Sequence, residues 1–105
     1  MKYLPSIFKR FGEKHPDILD AYQTLGALCD KKGPMDEKTR HLVQLGIAIG
    51  ASAKGAVRSH ARRALAAGAT EEELVQTALL SMSIVGFPAA IAGFGWIEDV
   101  LGGEE

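Results

Sequence analysis

The sequence predicts an all-α protein, a compact bundle of about six helices. Apolar residues recur at three- and four-residue intervals in almost every segment. Helix start and stop signals fall between those segments. No run shows sustained polar–apolar alternation, and no hairpin turn signal occurs, so nothing competes for strand.

The elements follow in order. A short first helix runs from Pro5 to about Phe11, with Ile7, Phe8 and Phe11 on one side. Pro16 suits the first position of a second helix, where its missing N–H costs nothing. Leu19, Tyr22, Leu25 and Leu28 carry that helix to the break at Asp30-Lys31-Lys32-Gly33-Pro34. Asp36 caps a third helix, which is apolar on nearly all sides from Leu42 to Ile49 and so predicts burial on more than one face. Its end or a bend lies within Gly50–Gly55. The fourth helix runs from about Lys54 to Ala67. Ala56, Val57, His60, Ala61, Ala64 and Leu65 form its apolar stripe, and Lys54, Arg58, Arg62 and Arg63 lie opposite. Gly68 fits the C′ position. Thr70 and Glu73 form a capping box for a fifth helix that points Leu74, Val75, Ala78, Leu79 and Met82 inward. A sixth starts at Pro88 and carries Ile91, Phe94, Ile97 and Leu101, with Ala89, Ala92 and Gly93 small enough for close helix contact.

A chain of 105 residues fits a single domain over 1–105, and one of that size buries only a moderate share of its surface. Yet 47% of the residues are hydrophobic, and Leu74–Ile97 carries no charge. Such an excess predicts burial against further copies of the chain. That uncharged stretch is long enough to cross a bilayer, but Gly86-Phe87-Pro88 breaks it into two helices, so no membrane span is expected. The net charge of −1 speaks against electrostatic binding of nucleic acid. The first residues lack the apolar core of a secretory leader, and Cys29 stands alone, so the expected setting is cytoplasmic and reducing.

His60 interrupts an apolar stripe, and a polar ring there needs a hydrogen-bond partner. His41 lies near the start of the third helix. Taken singly, each reads as readily as a satisfied structural histidine. The arginines of the fourth helix read by default as a solvated face. No glycine pattern forms a phosphate loop, and three widely spaced histidines make no metal-ligand motif. Neither a cofactor nor a metal is expected.

Read whole, Met35–Leu74 has a helix opening Asp-x-Lys-Thr-Arg-x-Leu and an apolar Ala-rich run. His60 follows, then Ala64-x-x-x-Gly68-Ala69-Thr70 with Glu72-Glu73-Leu74. This segment resembles the core of the carboxymuconolactone decarboxylase / alkylhydroperoxidase D-like family. The resemblance implies a helical fold of that type, intertwined in a homo-trimer or homo-hexamer. In the family's redox members a Cys-x-x-Cys-x-x-x-His motif and a glutamate on the preceding helix reduce peroxide. Here His60 matches the motif histidine, Ala53 and Ala56 stand at the cysteine positions, and His41 stands at the glutamate position. The family's lactone decarboxylases also lack the cysteine pair, and there acid/base groups protonate a carbanion-like centre as carbon dioxide leaves. By that resemblance the candidate catalytic residues are His60, His41 and Glu37. Arg40 and Arg58 are candidate anchors for a small organic acid or lactone. A non-catalytic binding or scaffold oligomer is the alternative, and a peroxidase working through Cys29 is a further one.

Overall fold

In the computed structural model of the chain, which describes residues 6–103, six α-helices follow one another and no strand occurs among the described residues. They are α1 (Ser6–Lys14), α2 (Pro16–Asp30), α3 (Glu37–Gly50), α4 (Lys54–Ala66), α5 (Glu71–Val85) and α6 (Phe87–Leu101). Pro5, the expected start of the first helix, lies outside the described residues. The chain divides into two units, Met1–Pro34 and Met35–Glu105.

The first unit holds α1 and α2. Pro16 occupies the first turn of α2 as expected. Gly12 lets the helices close up, since a Cβ there would stand 2.7 Å from Leu19 Cδ2. Neither helix contains a buried residue, and Ile7, Tyr22, Leu25 and Leu28 are all exposed. The helical spacing of α2 is therefore real, but α1 does not bury its apolar residues within this unit.

The second unit holds α3–α6 around a core of Leu45, Ile49, Val57, Leu74 and Ile97, all fully buried, with small Ala48, Ala61, Ala64 and Ala78 between them. Each of the large side chains contributes about 1.5–3 kcal/mol through its removal from water. The alanines keep the helices close, and Gly93 of α6 goes further: a Cβ there would meet Ile49 Cγ1 at 2.8 Å. Gly86, at φ 91, makes the turn between α5 and α6 in a region that side-chain-bearing residues avoid. The uncharged stretch is thus divided between two helices of 15 residues each, about 22 Å long apiece, and no helix among the described residues is long and apolar enough to cross a membrane. Two inward assignments fail within the chain: Leu79 of α5 and Ile91 of α6 point outward, while Leu74, Ala78 and Ile97 are buried as expected and Ala90 and Gly93 take further core-facing positions. The sixth helix begins at Phe87, one residue before Pro88.

Both helix starts flagged by the sequence are capped. Asp36 Oδ1 accepts from the Thr39 N–H at 2.8 Å, and Thr70 and Glu73 close a reciprocal capping box. Hydrogen bonds from Thr39, through its side chain first and its N–H second, hold the Asp36 carboxyl below its ordinary pKa. The Thr70 N–H and then Lys38 do the same for Glu73. A lowered carboxylate pKa stabilises the fold above the ordinary carboxylate range, and that contribution is lost as pH falls through the lowered values. An Asp36→Ala, Glu73→Gln double variant should therefore melt below the native protein at neutral pH. The gap should close below about pH 4. Melting followed by circular dichroism from pH 7 to pH 2.5 checks this, and a gap independent of pH would contradict it.

Candidate functional site

The site is built on the α3–α4 hairpin. Glu37 and His41 stand one turn apart at the start of α3, just inside the Asp36 cap. At the other end of α3 the chain reverses through Ala51, Ser52 and Ala53. The Ser52 N–H donates to Ile49 O and the Ala53 N–H to Ala48 O, each at 3.0 Å, which is the paired bonding of a Schellman end. Ser52 takes the left-handed position at φ 52, usually given to glycine, as Gly68 does at the end of α4. The reversal runs α4 back along α3 and carries His60 to His41. Buried Val57, Ala61 and Ala64 flank His60 on its helix and fix its face.

The two rings meet at Nδ1, 3.1 Å apart, with centroids 5.3 Å apart and planes 34° from parallel. Both side chains are half-buried, His41 at 13% exposure. The His41 Nε2 lies 4.0 Å from Glu37 Oε2, a charge contact rather than a hydrogen bond, and Glu37 itself is 66% exposed. A bond between two Nδ1 atoms needs one N–H and one lone pair, so the rings hold opposite roles there. With one proton on each ring, the donor at Nδ1 is unprotonated at Nε2, and the acceptor carries its proton on Nε2. The pair thus presents one basic and one acidic Nε2. A third proton fits on the ring that donates. A fourth would set N–H against N–H and break the bond.

The structure brings His60, His41 and Glu37 into one cluster. It places the two arginines differently. Arg40 Nη1 donates to the Met35 carbonyl at 2.9 Å, closing over the start of α3. Arg58 does not lie on a solvated face: its Nη2 meets Asp99 Oδ2 of α6 at 2.5 Å, with both side chains largely covered. A substrate carboxylate would compete with Asp99 for Arg58. Asp99 is the residue that reading the sequence missed, because no local pattern links positions 41 residues apart. Lys38 pairs with Glu73 at 3.2 Å and ties α3 to the start of α5 beside the cluster. Among the described residues no three of His, Cys, Asp and Glu are grouped as metal ligands.

Ala53 and Ala56, which the sequence resemblance sets against the cysteines of the redox proteins, are half-buried at the reversal and in the first turn of α4. Cys29 is exposed on α2. Peroxide reduction by the dithiol route needs a thiolate nucleophile and a second thiol to resolve the sulfenic acid. Two methyl groups supply neither. Peroxide consumption with a dithiol reductant is expected at background for both the native protein and Cys29→Ser. Turnover that disappears in Cys29→Ser would assign the chemistry to that thiol.

The model of the carboxymuconolactone decarboxylase family matches residues 16–99. An uncharacterized protein of Haemophilus influenzae is 35% identical over 57 residues, which are 54% of this chain and 50% of that protein, so the chain spans about half the length of this curated relative. The crystal structure of an apo carboxymuconolactone decarboxylase family protein from Legionella pneumophila superposes with a TM-score of 0.77 over 90% of this chain and 87% of that one, at 23% identity, a likeness of fold. With most of its length matched by the family model, from α2 through Asp99, this chain belongs to the carboxymuconolactone decarboxylase family.

Proposed function

We propose that the protein acts on a small organic acid or lactone by acid/base chemistry at the His41–His60 pair. The observation that carries this reading is the Nδ1–Nδ1 contact of 3.1 Å between two half-buried rings. In the three-proton state His41 is the imidazolium, favoured by the Glu37 carboxylate, and donates to His60 Nδ1. His60 then holds its proton at Nε2. As the bond to a substrate carboxylate breaks, its electron pair stays on carbon and carbon dioxide departs. His60 gives the Nε2 proton to that carbon, and the His41 proton crosses the short Nδ1 contact to restore a neutral His60. Run in reverse, the neutral pair removes a proton next to a carbonyl. Glu37 acts through His41 and is a positioning residue.

The test is a panel of small carboxylates and five- and six-membered lactones in D₂O. Proton NMR follows loss of α-proton signal and appearance of decarboxylated product. Exchange or decarboxylation of at least one compound by the native protein, and its loss in His60→Gln, is the expected result. A full panel without reaction, or reaction untouched by the substitution, would overturn the reading in favour of a non-catalytic binding protein.

A further inference from the structure

His41 and His60 aim their Nδ1 atoms at one another across 3.1 Å. Two metal–nitrogen bonds of about 2.0–2.1 Å hold their nitrogens about 3.3 Å apart at a tetrahedral angle and about 2.9 Å apart at a right angle. The observed spacing falls within the span that one ion bridges. Each helix brings one ligand, and 19 residues separate them along the chain, which is why spacing in the sequence showed no ligand motif. The far nitrogen of His41 bears on the same point. A metal at Nδ1 leaves the ring proton on Nε2, and there the Glu37 carboxylate stands 4.0 Å away on an exposed side chain that can close the gap. A carboxylate behind a ligating imidazole fixes its tautomer and raises its basicity. The two cationic residues nearest His41 in α3 are turned to other acceptors, Lys38 Nζ to Glu73 and Arg40 Nη1 to the Met35 carbonyl.

We infer that His41 and His60 chelate one divalent transition ion through their Nδ1 atoms, and that the ion switches the pair off as an acid and base. Imidazole nitrogen selects zinc(II), nickel(II) and copper(II), whereas magnesium and calcium call for oxygen ligands. Among the described residues no third His, Cys, Asp or Glu joins the two as a ligand, so water fills the remaining positions. Centroids 5.3 Å apart leave the nitrogens nearly head-on, which suits a shared proton. An ion sits beside that line, and each ring turns by about 40° to meet it. The Cβ–Cγ torsion of histidine is broad, and both rings are half-buried rather than enclosed, so the turn is open to them. The ion then takes both Nδ1 lone pairs, and the proton that the pair shares has no place between them. The binding does not rest on the chemistry proposed above; only its inhibitory consequence does.

The test titrates the full chain, stripped with EDTA, with zinc chloride in a calorimeter, and follows the histidine ring C–H signals by proton NMR in parallel. The expected result is one zinc per chain, with the signals of His41 and His60 shifted and that of exposed His15 unmoved. Glu37→Gln should weaken zinc by about tenfold, the low end for a carboxylate behind a ligand. His41→Gln and His60→Gln should each weaken it further than that with helical circular dichroism intact, and His15→Gln should leave it unchanged. Copper(II) should bind more tightly than zinc, and magnesium chloride should give no saturable heat. No saturable zinc binding would overturn the inference. So would zinc held as tightly by both glutamine variants of the pair, or zinc that moves only the His15 signal. These measurements involve no substrate, so they fail or succeed apart from the acid/base reading. Where a compound of the panel reacts, saturating zinc should abolish the reaction, and undiminished turnover with zinc bound would overturn the switch.

Discussion

Replacing His60 with glutamine is expected to lower the rate of proton exchange or decarboxylation by about 10²–10⁴-fold, the usual contribution of a positioned acid or base. Glutamine keeps a polar group of similar reach but cannot exchange a proton at neutral pH. The loss should fall on kcat with KM little changed, since the proton moves only in the transition state. His41→Gln should cost less and change the shape of the pH profile. His60 would still meet the substrate, but the partner that holds the third proton would be gone. With the native pair, the decarboxylation rate should fall on both sides of an optimum, because the neutral pair has lost the proton to be delivered and the four-proton pair has lost its Nδ1 bond. Single-turnover rates of the three proteins across pH 5–9 check this. Equal pH profiles for native and His41→Gln would remove His41 from the mechanism.

Gly93→Ala should destabilise the second unit by about 1–3 kcal/mol, the range for forcing an extra carbon into a filled core. The added methyl would meet Ile49 Cγ1 at 2.8 Å and Cγ2 at 2.9 Å, and Ile49 is fully buried with no room to turn away. Ile49→Ala alone should cost about 2–5 kcal/mol through the cavity it opens. In the double variant the two errors meet: the new methyl enters space that Ile49 has vacated. The double variant should be more stable than the sum of the singles predicts, by an amount urea unfolding resolves. Trp96, half-buried against the same core, reports the transition by fluorescence. Strict additivity would show that the backbone shifts to absorb the clash and that Gly93 does not set the α3–α6 approach.

The parts of the fold legible in the sequence are those decided within a few residues. Asp36 with Thr39, Thr70 with Glu73, and the break at Gly86 are local chemistry, and each acts where its pattern placed it. Periodicity identified apolar faces but not what covers them. Tyr22, Leu79 and Ile91 repeat at helical intervals as regularly as Leu74 and Ala78, yet only the latter two are buried in the chain. The candidate site divides in the same way. His41 and His60 could be placed on helix faces from spacing alone, whereas their contact depends on how a helix pair closes in three dimensions. Arg58 read as solvated because its partner, Asp99, belongs to a helix that arrives only after two more turns of the chain.

The reversal at Ala51–Ala53 sets the phase of the site. Successive residues of a helix are turned by about 100° from one another, so one residue added to or removed from that turn would swing His60 about a quarter-turn around the axis of α4. The rings would then face different neighbours while both helices, their caps and most of their apolar surface stayed intact. Ser52, held in a backbone conformation that serine adopts at some cost, keeps the count. The distance between the two imidazoles is therefore a property of loop length as much as of the histidines. A homologue with both histidines and a turn one residue longer would share the fold and lack the pair.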